Sequence, residues 1–323
     1  MSKRLFISWE PSNSRSATLA HEFGAHCEFV HYLALKRPWL APLKYVMQAF
    51  KTWKVLRGLR PTIVFAQNPP LFAPLAIWMY CRPKRIPLIL DSHTGVFLEP
   101  KWRWLSGLHG FLARRAAVSI VTNDHLGSMV ESWGGRYFVF PDVPTEFPDA
   151  EFIDDRPENL VLVVNSFSYD EPLDEVIKAA RQMPHVTFAI TGDVRRCSRE
   201  ILDAKPDNVR FTGFVSRTEY VNLLYSARAA VVLTKENFTM QRGAYEAMSL
   251  GVPIVTSDWP ILRETFYKGT VHTDNTAASI VAALKQILSN EEEFKSAIAK
   301  LKRERRAIWA DKLARFSSEY LDA

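Results

Sequence analysis

The chain has 323 residues, 47% hydrophobic and 24% charged, with a net charge of +6; this length suits two ordinary domains, and this balance excludes disordered and fibrous classes. Cys27, Cys81 and Cys197 are odd in number and scattered, which excludes a disulfide scaffold and a zinc cluster and fits a reducing compartment. The charge is lopsided, with 18 Lys/Arg against 10 Asp/Glu in residues 1–150 and 23 against 25 in residues 151–323.

The opening MSKRLFISWE breaks its apolar run at Trp9-Glu10, so it reads as no signal peptide, and residues 3–8 read as a first strand. The loop that follows, SWEPSNSRSATLA (8–20), lacks the glycines of a dinucleotide fingerprint, which argues against a nicotinamide or flavin dehydrogenase. Ser14, Arg15 and Ser16, at a helix start, are candidates to hold an anionic acceptor group.

Between Glu28 and Asp91 there is no acidic residue and there are ten Lys/Arg, and seven of the nine tryptophans lie in the first 150 residues. Such a half points to an anionic partner. Without zinc-finger spacing, an RNA-recognition aromatic motif or a basic-region heptad, nucleic acid is not expected. As a helix, residues 43–57 put Tyr45, Val46, Ala49, Phe50, Trp53 and Leu56 on one face and Lys44, Lys51 and Lys54 opposite. Two readings stand side by side: a helix with its apolar face on a sheet, or a segment (36–60, including Trp39) that docks on an anionic membrane surface. The longest apolar stretch, 71–81, contains Pro74 and is too short to span a bilayer.

Further strands are expected at 62–66, 87–92, 118–122 and 136–140. Asp91 and His93 fall at the end of the second of these. There an imidazole suits a general base and the carboxylate suits its orienter; the plainer readings are a structural histidine and a turn-forming aspartate. The segment 141–159 has four prolines and seven acids and reads as a linker. Strands are expected again at 159–165, 186–191, 209–213, 229–234 and 253–257, and two helical pieces at 291–309 and 311–323. Continuous Val/Ile/Leu runs separated by helix-length segments indicate parallel sheets covered on both faces. The expected architecture is α/β with two Rossmann-like domains facing an interdomain cleft: residues 1–145, residues 157–290, and C-terminal helices 291–323 packing back toward the first domain. In such sheets ligands bind beyond the carboxyl ends of the strands.

The most informative stretch is LTKENFTMQRGAYEAMSLGVPIVTSD (233–258). A strand ends at Thr234 and a helix is expected from about Thr239 to Leu250, closed by Gly251. A helix amino end after a parallel strand offers free amides to a diphosphate; Gln241 and Thr239 lie at that end, and Arg242 would add a bidentate contact. Glu246, one turn on, either accepts from a ribose diol or caps its own helix.

YEAMSLGVPIVTSD is similar to the donor-site signature of GT-B glycosyltransferases, especially glycosyltransferase family 4 (group 1), and VRFTGFVSRTEYVNLLYSARAAVVLT (209–234) follows the same family's order. The resemblance implies a donor domain over about 157–290, Glu246 on the nucleotide ribose and the backbone of Val215 on the nucleobase. It also implies an upstream glutamate at 238, where this chain has Phe238, leaving Glu236 two residues earlier as the candidate to reach the sugar. At NSFSYDEPLDEV (165–176) the family's Arg and Lys are replaced by Ser and by Asp170-Glu171, so the diphosphate would fall to Arg242, the helix amino end and loop amides at Asn165 and Ser166. Asp170 there reads as an N-cap.

The implied activity is transfer of a sugar from a nucleotide diphosphate sugar to a glycan or lipid-linked acceptor in polysaccharide or envelope glycan synthesis. His93, Asp91 and Glu236 would be catalytic, with no cofactor and no metal, in the cytoplasm or on the inner face of the cell membrane. The rivals are a nucleotide-sugar epimerase of the same fold and a non-catalytic nucleotide- or glycan-binding scaffold.

Overall fold

The computed structural model describes residues 3–31, 41–141, 145, 147 and 159–322, with Ser14 described through its backbone alone. Most of the expected linker 141–159, and residues 36–40 of the expected docking segment, lie outside the described residues. The chain divides into two compact units, residues 1–143 with 308–323, and residues 144–307.

In the first unit, in chain order, come β1 (Arg4–Ser8), α1 (Ser14–Glu22), β2 (His26–Phe29), α2 (Ala41–Leu59), β3 (Ile63–Asn68), α3 (Phe72–Cys81) and β4 (Leu88–Ser92). Then follow α4 (Thr94–Leu98), α5 (Pro100–Arg103), α6 (Ser106–Ala113), β5 (Val118–Val121), α7 (Asp124–Ser132) and β6 (Tyr137–Val139). The six strands form one parallel sheet ordered β2-β1-β3-β4-β5-β6. The two-residue period of a strand divides each apolar run between two cores. Leu5, Ile7, Val64, Ala66, Leu88 and Leu90 join the core under α2 and α3. Phe6, Phe65 and Ile89 join the opposite one, with Phe23 of the α1 end. Runs apolar at every position are thus what a sheet covered on both faces requires.

The second unit contains β7 (Leu160–Val163), α8 (Leu173–Arg181), β8 (Thr187–Thr191), α9 (Arg199–Ala204), β9 (Val209–Gly213), α10 (Arg217–Ser226) and β10 (Ala229–Val232). After these come α11 (Arg242–Leu250), β11 (Ile254–Ser257), α12 (Pro260–Thr265), β12 (Thr270–Thr273), α13 (Ala277–Ser289) and α14 (Glu291–Phe316), the last ending in the first unit. Its sheet is also six-stranded and parallel, ordered β12-β11-β10-β7-β8-β9. Val161, Val163, Val231 and Val255 face one core and Leu160, Leu162, Ala230, Val232 and Ile254 the other.

The structure departs from the sequence expectation at the tail. The two helical pieces are one helix, because Trp309-Ala310-Asp311 contains no breaker, and a π-helical turn at Ser317–Leu321 follows it. Within the first unit, Trp309 packs on Phe140 with ring centroids 4.3 Å apart and Phe316 packs on Phe138 at 5.1 Å. Those aromatic faces fasten residues 308–323 to the first sheet.

Candidate functional site

Each unit presents its chemistry at the carboxyl ends of its strands. In the first, Asp91 stands one residue before the end of β4 and is completely buried. Asn13 caps α1 through its side-chain oxygen, which accepts from the Ser16 amide at 2.9 Å, and this places Arg15 in the first turn. Arg15 donates to Asp91 Oδ1 from Nε at 3.4 Å and from Nη2 at 3.3 Å, while His93 Nε2 lies 2.9 Å from Asp91 Oδ2. Burial opposes charge on Asp91, but Arg15 and His93 outweigh it and hold the carboxyl below its ordinary range. With Nε2 donating to a carboxylate, Nδ1 is the nitrogen of His93 left to accept a proton. The ring is partly exposed, at 22% of its side chain. The His93 amide donates to Asn68 O at 3.0 Å, tying the loop to the end of β3.

The expected acceptor contacts fare unevenly. Arg15 is 9% exposed and engaged with Asp91. Ser16 is fully buried, its amide donates to Asn13 Oδ1, and its hydroxyl has no hydrogen-bond partner among the described residues. The Ser14 side chain lies outside the described residues.

In the second unit the loop after β10 is anchored at Thr234. Its amide donates to Ser257 Oγ (2.8 Å) and its hydroxyl to Asp170 Oδ2 (2.7 Å), and its carbonyl accepts from Asn275 and Trp259, each at 3.0 Å. Asp170 is therefore a loop anchor and not a helix cap: α8 begins later, at Leu173, with Pro172 in the cap position. The amide of Glu236 is held by Thr234 Oγ1 at 3.1 Å, and Phe238 follows in the left-handed region at φ 62°. The helix then starts at Arg242, three residues later than expected. Thr239 lies in the loop and Gln241 is the N-cap, with no side-chain cap bond. A Cβ on Gly243 would stand 2.6 Å from the Val164 side chain, so glycine here lets the first turn of α11 sit directly on the end of β7. Gly251 ends the helix at φ 76° as a left-handed cap.

Glu246 is 9% exposed. Its Oε2 accepts from the Tyr220 hydroxyl at 2.7 Å, and its Oε1 lies 3.5 Å from Arg242 Nε. Burial, then the Glu246 charge, push the Tyr220 phenol well above its ordinary range, so it remains a donor. Arg242 also donates from Nη2 to Thr145 Oγ1 at 3.1 Å. Glu246 is thus a fixed carboxylate one turn inside a helix amino end, with a guanidinium beside it. Such an arrangement is chemically able to accept from a vicinal diol and to offer the adjacent amides and Arg242 to an anion.

The loop after β7 differs from expectation. Asn165 is 8% exposed and its Oδ1 accepts from the Phe167 amide at 2.8 Å. The Ser166 amide (2.9 Å) and hydroxyl (3.1 Å) and the Ser168 amide (2.8 Å) all donate to the Glu171 carboxylate. The Ser166 amide expected for a diphosphate is therefore filled by the chain's own carboxylate. Burial pushes the Glu171 carboxyl up, against those hydrogen bonds. Val215 is half-buried between Gly213, at φ 73°, and the Ser216 cap of α10, and its neighbour Phe214 is 91% exposed. Sequence reasoning missed Tyr220, Thr145 and Glu171 as partners. Tyr220 and Glu246 are 26 residues apart and meet only through packing, which leaves no spacing signal. Among the described residues no group of three His, Cys, Asp or Glu side chains gathers as a metal ligand set.

Residues 146–305 match the family described as glycosyl transferases, group 1. The whole chain is similar to solved structures, including sucrose-phosphate synthase from Thermosynechococcus elongatus, at 15% identity over 100% of this chain and 99% of that one, TM-score 0.77. The Anabaena HepE protein in complex with UDP and glucose is similar at 14% identity, over all of both chains, TM-score 0.72. A glycosyltransferase from Rickettsia africae is similar at 11% identity, over 100% and 99% of the chains, TM-score 0.71. None of the curated protein sequences matches significantly.

Proposed function

Since residues 146–305 match the group 1 glycosyltransferases, we propose that the chain transfers a hexose from a UDP-sugar to a glycan or lipid-linked acceptor in polysaccharide or envelope glycan synthesis. The observation that carries the donor assignment is Glu246, held by Tyr220 and Arg242 one turn inside the amino end of α11. UDP is chosen as the nucleotide because the Anabaena neighbour was solved with UDP and UDP-glucose. The ribose diol takes Glu246, the diphosphate takes the α11 amides and Arg242, and the backbone at Val215 meets the base.

His93, fixed by Asp91, acts on the acceptor hydroxyl or the transferred sugar, and no metal is required. Glu236 is the candidate to reach the hexose. No helix among the described residues is long and apolar enough to cross a membrane, and the chain is proposed to associate peripherally through residues 36–60. The test is a donor-consumption assay with candidate lipid-linked and soluble glycan acceptors. Consumption of UDP-sugar that requires acceptor, with UDP and a new glycoside as products, is expected. Interconversion of sugars without acceptor would mark an epimerase, and binding without turnover a scaffold.

A further inference from the structure

The α2 helix buries only part of the face that its sequence marks as apolar. Its inward residues are Gln48, Thr52 and Leu56, all fully buried. Gln48 Nε2 donates to Val30 O (2.8 Å) and Trp9 O (3.2 Å), and Thr52 Oγ1 accepts from Trp9 Nε1 at 2.9 Å. Gln48 and Thr52 thus take interior positions, Tyr45, Ala49 and Trp53 pack partly buried against the core, and Leu43, Val46 and Phe50 are left facing outward. Leu43 is 56% exposed, Val46 52% and Phe50 65%, and Met79 on α3 is 52% exposed. A sheet-covering helix with its apolar face wholly seated would cover these side chains too.

Val46, Phe50 and Met79 rim a groove of about 310 Å³ between α2 and α3, whose walls include Trp9, Tyr45, Trp53 and Phe72. Both indole N–H groups in the walls are already used, Trp9 on Thr52 and Trp53 on Ala76 O at 2.8 Å. The groove therefore offers hydrocarbon surface with its indole donors spent. Its flank is cationic: α2 carries Lys44, Lys51, Lys54 and Arg57 and no acid, and α3 carries no acid either. Lys51 and Lys54 line a second cavity of about 720 Å³ on the other side of Phe50, with His26 and Glu28 at its far edge. Apolar walls beside several cations and a single acid match a chain with an anionic head. Trp9 is the residue after β1, whose last residue, Ser8, is hydrogen-bonded to Gln67 near the end of β3. The groove is thus rooted at the sheet end that presents Arg15, Asp91 and His93.

We propose that the α2–α3 groove is a binding site for the hydrocarbon tail of a phosphorylated lipid acceptor, with the α2 lysines meeting its phosphate. This rests on the lipid-linked acceptor reading above, but it is tested without turnover. The probe is 12-bromododecyl phosphate, whose bromine quenches tryptophan on contact, added to the full chain below its micelle concentration. Saturable quenching in the wild type is expected, weakened at least tenfold in Val46→Asp and Phe50→Asp, whose exposed positions leave the interior intact. Unchanged calorimetric affinity for UDP in both variants shows that they are folded and separates this inference from the donor assignment. Transfer to a tail-less acceptor should also stay unchanged. Absence of quenching in the wild type, or equal quenching in the two variants, overturns the proposal. So does competition by inorganic phosphate as effective as by dodecyl phosphate, which would show anion binding alone. So does sedimentation showing a dimer that Phe50→Asp dissociates, which would assign the groove to a second copy.

Discussion

His109 sets how the first unit responds to acid. The imidazole is 1% exposed on α6, between Phe97 and Trp133, with both ring centroids 4.8 Å away. Its Nε2 is 3.4 Å from Ser92 Oγ and its Nδ1 has no partner. Burial pushes its pKa down to about 3 from the ordinary 6.5. Between those values the unfolded chain binds a proton that the folded chain refuses, so stability is full above pH 6.5 and falls as the pH drops toward 3. The slope is about 1.4 kcal/mol per pH unit, so lowering the pH from 7.5 to 5 costs about 2 kcal/mol through this group. His109→Leu removes the titrating group and leaves Ser92 its bond from Asn68 (3.3 Å). Urea unfolding followed by tryptophan fluorescence, which Trp133 reports directly, should show wild type losing about 2 kcal/mol more than the variant between pH 7.5 and 5. Carboxylates common to both proteins cancel in that difference. Identical pH dependence in the two proteins would refute the reasoning.

His93→Ala should lower turnover by about 10²–10⁴-fold, the range of a general base, with UDP affinity unchanged in calorimetry. Asp91→Asn leaves the Arg15 guanidinium without its buried anion and should destabilise the fold by about 3–5 kcal/mol in urea unfolding at pH 7.5. Glu171→Ala empties the Ser166–Ser168 loop of its internal carboxylate. It should tighten UDP binding by about tenfold, the worth of one hydrogen bond to a charged group at about 1.4 kcal/mol, again by calorimetry.

The two sheets were legible because buried parallel strands are written as unbroken Val, Ile and Leu runs. The strands that escaped, β2 (HCEF) and β12 (TVHT), are both edge strands. Their mixed residues carry neither a continuous run nor a clean alternation. The α2 helix was legible as a helix and only partly in its facing: Tyr45, Ala49, Trp53 and Leu56 pack on the core as the sequence marks, but Gln48 and Thr52 are drawn inward by hydrogen bonds to Trp9 and Val30 that no periodicity encodes, which leaves Val46 and Phe50 outside. At α11, Glu246, Arg242 and the Gly251 stop could be placed from local spacing. The Tyr220 donor could not, since it comes from a separate helix, and neither could the Glu171 carboxylate, whose bonds to Ser166 and Ser168 depend on a loop turned through a left-handed Phe167 at φ 57°.

The central claim is that the amino end of α11 holds the donor nucleotide through Glu246. Calorimetric titration of UDP into wild type, Glu246→Ala and Tyr220→Phe tests it most directly. Glu246→Ala should weaken binding by about 1–3 kcal/mol, roughly 5- to 150-fold in Kd. Tyr220→Phe, which loosens the carboxylate without removing it, should fall between that variant and wild type. Equal UDP affinity in all three proteins would contradict the assignment.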